Sequence, residues 1–403
     1  MPDPFPNPLA ELHHAIEPAD FADFGGIEIA STFGDLPIEY AAIHKSCGLL
    51  DQPWRGVLEF TGKDRHEFLG NLITNKTWDK QTKTGLTAGT GVRAFLLNLK
   101  GRVVADLTLI ERGSSGGDRL LVDMDRRLVT PIKQTLEKYL FSEKVQMIDR
   151  SRTHARIGLH GPGGAGILYD AGGIDLSSFG AFASISATMF GASVEAWRED
   201  QTISPGWQMM IANEDLMRVW KGLIDAFAEE GRESNKRRLR RIGWSAFNTT
   251  RIEAGLPMLG IDYEAAPASR PGKKTDDTPD DPATRGILPA ETGLFERAVD
   301  VNKGCYLGQE IVARMYSRKV TARKIIAFKM KDDAQPIAGA GVFDEQNGQV
   351  GIVTSSTISP VRSGACIGLA LVKKPHFEVG SELRIPAEGS MQRAQVIELA
   401  KVV

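Results

Sequence analysis

A chain of 403 residues corresponds, at roughly 150 residues per domain, to about two or three domains; 42% hydrophobic and 25% charged residues supply a core and exclude disorder of the whole chain. Its 49 basic and 51 acidic residues leave a formal charge of −2, too balanced for the whole surface to receive a polyanion, so direct nucleic-acid binding is not expected. No apolar stretch reaches the roughly 18 to 20 residues of a membrane helix, and the start Met1-Pro2-Asp3-Pro4-Phe5-Pro6 lacks a signal peptide's basic and apolar regions, so no membrane contact is expected and the cytoplasm is the expected location.

Residues 1–39, rich in Pro and Asp, read as an N-terminal arm with at most one short helix near residues 9–16. Regular structure is expected from about residue 48: a strand at 57–60, then Thr61 as the N-cap of a helix that puts Phe68, Leu69, Leu72 and Ile73 on one face. Residues 94–99 and 102–110 read as strands joined by the turn Asn98-Leu99-Lys100-Gly101. On the second of these, Val103, Ala105, Leu107 and Leu109 form an apolar face, while Asp106 and Thr108 point the other way, toward solvent or a cavity. A strand at 119–122 leads into a helix marked by Leu128, Val129, Ile132, Leu136, Tyr139 and Leu140, which tolerates Pro131 only in its first turn. A strand at 144–148 follows.

A second cycle has strands at 155–159 and within 183–197, then a helix over 214–229, capped by Asn213 and ended by Gly231. Two such rounds predict an α+β body over residues 40–323. Within it, residues 265–289 are rich in Pro, Asp and Lys and read as a mobile insertion. From 324 to 403 the short strand-like runs, with Asn347-Gly348 as a hairpin turn, predict a small β-barrel.

Three motifs point away from common chemistries. Gly161-Pro162-Gly163-Gly164-Ala165-Gly166 has the wrong spacing for a dinucleotide loop and reads as a tight turn, with no helix of useful length before Gly172-Gly173. The run Lys236-Arg237-Arg238-Leu239-Arg240-Arg241 has no interleaved aromatics and reads as a solvated face. No GxSxG elbow supports acyl transfer, and scattered histidines define no metal site.

The unusual segment is Lys303-Gly304-Cys305-Tyr306-Leu307-Gly308-Gln309-Glu310. Two glycines bracket the thiol in a sharp turn, and a helix from Gln309 would pair Glu310 with Arg314. A cysteine beside Lys303 and ahead of a helix start has its thiolate favoured by both positive charges, so Cys305 and Lys303 are the candidate reactive pair. Cys47 and Cys366 read as structural, and an odd number of widely spaced cysteines predicts no disulfide framework.

This segment resembles the signature of the YgfZ-type folate-binding proteins, relatives of the glycine cleavage T-protein (aminomethyltransferase) that are linked to iron–sulfur cluster assembly or repair and to tRNA modification. The resemblance runs from about residue 40 to the end. It includes Phe60-Thr61-Gly62-Lys63-Asp64-Arg65, Leu97-Asn98-Leu99-Lys100-Gly101-Arg102, Arg251-Ile252-Glu253-Ala254-Gly255-Leu256-Pro257 and Pro289-Ala290-Glu291-Thr292-Gly293-Leu294. It implies a three-lobed cloverleaf of two α+β lobes and a barrel, with tetrahydrofolate in a central cavity and Cys305 at its rim. Asn98, Asp106, Arg251 and Glu253 are the implied folate-site residues, with Tyr306, Gln309 and Glu310 shaping the turn beside it. The implied partners are folate and iron–sulfur client enzymes. Aminomethyltransferases carry paired acids where this chain has Ala105-Asp106, a Gly-Glu-x-Gly segment where it has Thr202-Ile203-Ser204-Pro205-Gly206-Trp207, and Ala-Arg-Asp where it has Ala246-Phe247-Asn248. Part of the catalytic carboxylate set is therefore missing. Three functions are open at this point: a folate-binding iron–sulfur maturation factor, a folate-dependent aminomethyl or methyl transferase, and a non-catalytic interaction scaffold.

Overall fold

The computed structural model describes residues 6–112, 118–176, 180–228, 238–268, 286–318 and 321–399. Its N-terminal segment holds more than the one short helix expected. After α1 (Ala10–His14), the antiparallel pair β1 (Asp20–Asp23) and β2 (Glu28–Thr32) precedes α2 (Leu36–Lys45) and β3 (Gly48–Asp51). The hairpin buries Phe24, Ile27 and Ile29 with Trp54, Ile242 and Phe247. Those partners are distant in sequence, so short-range periodicity carries no trace of them.

The first lobe comprises β4 (Arg55–Thr61), α3 (Arg65–Gly70), the short pair β5 (Trp78–Asp79) and β6 (Thr84–Gly85), β7 (Gly91–Leu97), β8 (Val103–Glu111), β9 (Arg119–Asp125), α4 (Arg126–Glu137) and β10 (Gln146–Asp149). Its antiparallel sheet runs β10-β4-β9-β8-β7. Leu58, Phe60, Ala105, Leu107 and Leu109 meet Phe68, Leu69, Val129, Ile132 and Leu136 of the helices in one core. Two local expectations fail. Thr61 ends β4 and does not cap α3, whose N-cap position is Asp64; that carboxylate instead accepts the amide of Lys144. Pro131 lies in the interior of α4, on its exposed side, where water can serve the carbonyl left without an N–H.

The second lobe contains β11 (His154–His160), α5 (Gly164–Gly172), β12 (Ser184–Met189), β13 (Ala192–Arg198), β14 (Gly206–Ala212), α6 (Asn213–Phe227) and β15 (Arg240–Ile242). Its sheet runs β12-β13-β14-β11-β3-β15, antiparallel except for the β3–β15 pair. The glycine-rich turn does open a helix, α5, because Ile167 and Leu168 find a core to enter. Asn213 is the first residue of α6 and donates to the Arg152 carbonyl rather than capping the helix, and Gly231 lies outside the described residues. The basic run also departs from a solvated face: its described end enters the sheet as β15, with Leu239 and Ile242 buried.

Helices α7 (Trp244–Glu253), α8 (Phe295–Ala298) and α9 (Gln309–Arg318) connect the lobes to the last unit. The Pro-rich insertion is anchored at both ends, since Ala266 donates to the carbonyl of Val103 and Val103 donates to that of Ile287; residues 269–285 lie outside the described ones. Strands β16 (Arg323–Met330), β17 (Gly341–Phe343), β18 (Gln349–Ser359), β19 (Ala365–Lys373), β20 (Glu382–Ala387) and β21 (Ser390–Ile397) close a barrel in the order β16-β19-β18-β17-β20-β21. The fold is thus two α+β lobes plus a closed β-barrel. No described helix is long and apolar enough to cross a membrane.

The faces of the two lobe sheets that turn away from their helices meet each other. Val57, Ile110 and Leu121 of the first pack with Trp197 and Met210 of the second, so β8 is buried along its whole length. Polar side chains on that face of β8 are therefore held inside the molecule.

Candidate functional site

Asp106 and Thr108 project from β8 into a central pocket. Arg93 comes from the neighbouring strand β7, Arg55 from β4 two strands away, Glu199, Asp200 and Gln201 from the loop after β13, Phe247 and Arg251 from α7, and Leu256 to Leu259 from the turn that follows. The space enclosed at this polar end is small, about 70 Å³. A second cavity of about 820 Å³ shares Leu256 with it.

Opposite charges fill the pocket wall in pairs. The Arg93 guanidinium grips Asp106 with two bonds, Nε to Oδ1 at 2.9 Å and Nη2 to Oδ2 at 2.5 Å, and the Tyr263 hydroxyl donates to Oδ2 at 3.0 Å. Burial opposes the charge on Arg93, but the Asp106 carboxylate outweighs it and holds the guanidinium above its ordinary range. Burial, with Asp106 beside it, also keeps Tyr263 protonated as a donor. Glu199 receives Arg156 Nη2 at 2.9 Å, Trp197 Nε1 at 3.2 Å and Thr108 Oγ1 at 3.2 Å. Burial alone would raise its pKa, yet the charges of Arg156, Arg55 and Arg93 hold it down at about 2. The pocket therefore presents two carboxylates whose charges are already balanced, a surface suited to accepting hydrogen bonds.

The structure separates the sequence-derived candidates into groups. Asp106 and Arg251 line the central pocket. Arg251 spends its donors within the protein, on Asn248 at 2.9 Å, the Leu256 carbonyl at 3.0 Å, Asp262 at 2.6 Å and Ser355 at 2.9 Å. Glu253 is buried between Tyr40 and Ser359, whose hydroxyls donate to it at 2.8 and 2.5 Å, and does not line the pocket. Asn98 organises the β7–β8 turn: its Oδ1 accepts from the amides of Lys100 and Arg102, and its Nδ2 donates to the Pro267 carbonyl.

Residues 303–310 lie elsewhere than the cavity rim where they were expected. Cys305 is exposed, whereas Cys47 and Cys366 are buried. It lines a separate depression of about 300 Å³ with Lys76, Trp78, Asp79 and Lys80. The cause is the docking of α9: Gly308, at φ +78, and Gly101 approach so closely that a Cβ on Gly308 would stand 2.5 Å from the Asn98 carbonyl oxygen. This clamps the cysteine segment to the turn of the β7–β8 hairpin, whereas Asp106 lies well along β8. Lys303 lines the same depression, but its ammonium is engaged by backbone carbonyls. Its ammonium donates to the carbonyls of Gly70, Ile73 and Asn75 at 2.7, 2.5 and 3.0 Å and lies 5.1 Å from the centre of the buried Tyr306 ring. Gln309 opens α9, and the exposed Glu310 makes no ion pair with Arg314, contrary to the helical spacing.

Sequence reasoning missed Arg93, Glu199 and Tyr263. The hairpin register held a signal for Arg93: β7 begins earlier than expected, so Phe95 stands opposite Asp106 and Arg93 lies diagonal to it. Nothing local signals Tyr263, which is brought in by the turn after α7.

Two α+β lobes and a closed barrel are the architecture of the T-protein of glycine cleavage. Residues 10–268 match the GCVT N-terminal domain, and residues 323–401 match the glycine cleavage T-protein C-terminal barrel domain. The chain belongs to this family. It is 26% identical over 401 residues to the aminomethyltransferase of Saccharopolyspora erythraea, covering 99% of this chain and 98% of that protein. It is also 26% identical over 378 residues to the aminomethyltransferase of Bacillus subtilis, covering 93% of each. In fold it resembles the glycine cleavage system aminomethyltransferase T of Bartonella henselae, with a TM-score of 0.79 and 21% identity over 98% of this chain and 97% of that one.

Proposed function

We propose that this protein binds tetrahydrofolate, with the pterin end at Asp106, and acts as a folate-dependent transferase of the aminomethyltransferase type. The observation that carries the reading is the placement of Asp106 and Glu199 in one central pocket of a chain that spans nearly the full length of aminomethyltransferases. The donor set fits. A pterin edge offers N–H groups, and the wall offers the carboxylate oxygens of Asp106 and Glu199, hydrogen-bonded to Arg93 and Arg156. A bound tetrahydrofolate supplies ring and side-chain nitrogens that accept a one-carbon unit. Asp106 and Glu199 would hold and orient it, Tyr263 and Arg93 fix Asp106, and the apolar residues 256–259 exclude water. Calorimetry with tetrahydrofolate is expected to give binding below millimolar, and Asp106→Asn to weaken it. Absence of binding by the wild type would end the reading.

A second reading, a maturation factor for iron–sulfur enzymes of the YgfZ type, is favoured by one observation. Cys305 is an exposed thiol on a conformationally specified turn, while the pocket carboxylates are already neutralised by arginines. Activity of cluster-dependent enzymes in cells carrying Cys305→Ala, measured beside turnover with tetrahydrofolate, separates the two. Lost cluster enzymes without turnover would favour maturation, and turnover insensitive to Cys305→Ala would favour the transferase.

A further inference from the structure

Three segments far apart in sequence meet on one guanidinium beside the central pocket. Arg127, in the first turn of α4, grips Asp125 with two bonds, Nε to Oδ1 at 3.0 Å and Nη2 to Oδ2 at 2.6 Å, and Asp125 lines the pocket. The guanidinium carbon lies 4.9 Å from the ring centre of Phe24, at the tip of the β1–β2 hairpin. In the same tip Gly25, at φ +60, comes so near that a Cβ on it would stand 2.0 Å from Nη1. Gly260, at φ +82 in the turn after α7, would place a Cβ 2.3 Å from Nη2. Only a residue without a side chain admits so close an approach with a left-handed backbone. An ion pair between residues 125 and 127 is local and needs no glycine from a distant hairpin or turn. The two glycine contacts are what tie the three segments together.

Each segment also carries part of the pocket. Phe24 packs on Trp54 with ring centres 5.7 Å apart, and Trp54 lines the pocket. The turn that holds Gly260 lines it with Met258 and Leu259. That turn closes on itself, the Gly260 amide donating to the Tyr263 carbonyl at 2.8 Å, and the Tyr263 hydroxyl donates to Asp106. The hydrogen bond to Asp125 outweighs burial and, with the charges of Asp125, Glu264 and Asp23, holds Arg127 above its ordinary range.

We infer that Arg127 is a positioning residue of the central pocket: it clasps the N-terminal hairpin and the turn after α7 to α4, and so sets Asp125 directly and Asp106 through Tyr263. The hairpin of residues 20–32 is then part of the machinery of the pocket. The clasp rests on the folate reading above only where affinity is measured.

The test is amide hydrogen exchange and tetrahydrofolate calorimetry on the full chain as wild type, Arg127→Lys, Arg127→Ala, Tyr263→Phe and the double variant Arg127→Ala with Tyr263→Phe. In Arg127→Ala, exchange should rise in residues 24–27 and 257–263 together, with the strands of both lobes unchanged. Arg127→Lys keeps a charge near Asp125 and should recover part of the protection. Arg127→Ala and Tyr263→Phe should each weaken tetrahydrofolate binding about 3- to 10-fold, the range of one lost hydrogen bond, and the double variant should lose less than the product of the two, because both act on Asp106. Losses that multiply would separate Arg127 from Tyr263 and overturn the clasp. Exchange unchanged in 257–263, or raised evenly over the first lobe with a lower melting temperature, would overturn it as well, the second pattern marking a merely structural residue. Should Arg127→Ala fail to fold, the same readings from Arg127→Lys decide. If the wild type binds no tetrahydrofolate, the folate reading ends and the exchange pattern alone decides for or against the clasp.

Discussion

Asp106 shows how a carboxylate can be both buried and usable. Two bonds from Arg93 and one from the Tyr263 hydroxyl offset its desolvation. Removing it with Asp106→Ala should cost about 3 kcal/mol, because the largely covered Arg93 would lose its charge partner. Asp106→Asn, which keeps an acceptor for Tyr263, should cost less; denaturant titration of both variants checks the order. His160 is the opposite case. Its two ring nitrogens are buried without hydrogen-bond partners, its ring lies 5.2 Å from that of Phe247, and burial, with Arg156 nearby, lowers its pKa to about 3. Between about pH 3 and 6.5 the unfolded chain therefore binds a proton that the folded one refuses, so this residue makes stability fall as pH drops through that window. His160→Leu should lose less stability between pH 6.5 and 4 than the wild type does, as read from urea midpoints. Equal slopes would remove His160 as the cause.

Among the elements, the start of α9 carries the clearest steric demand. Gly308 has a positive φ and faces the Asn98 carbonyl with no room for a Cβ, so Gly308→Ala combines strained backbone with a clash. A loss of roughly 2–3 kcal/mol is expected, with a lower melting temperature and with the alkylation rate of Cys305 altered, because the turn that presents the thiol would shift. The same element shows what was readable in advance. Glycines bracketing a cysteine ahead of a helix announce a special turn, and the turn exists. Which surface it docks on depends on Gly101 and Ile311 meeting across the β7–β8 turn, a contact between residues about two hundred positions apart in sequence. Sequence proximity pairs Lys303 with Cys305, but the carbonyls of Gly70, Ile73 and Asn75 hold its ammonium instead.

For the molecule as a whole, the barrel is fastened to the body through α7. Arg251 bridges Asp262 and Ser355 of β18, Thr354 and Ser355 donate to Asp262, and Ser359 donates to Glu253. Arg251→Ala should therefore loosen the barrel against the lobes and cost about 3–5 kcal/mol. Hydrogen exchange should rise in β18 first, and exchange unchanged there would assign Arg251 to the pocket alone.

Alternation of apolar and polar residues is a property of the local chain, and it suffices to place the six barrel strands, the β7–β8 hairpin and the inward face of α6, along with Asp106 on the face away from its own helical core. The family resemblance of the glycine and arginine motifs came from the same linear information. Charge partners do not. An arginine side chain is long, and its energy depends on which carboxylate the fold brings within about 3 Å. Only the tertiary arrangement could decide that Arg93 takes Asp106, that Arg251 fastens the barrel, and that Cys305 opens away from the central pocket.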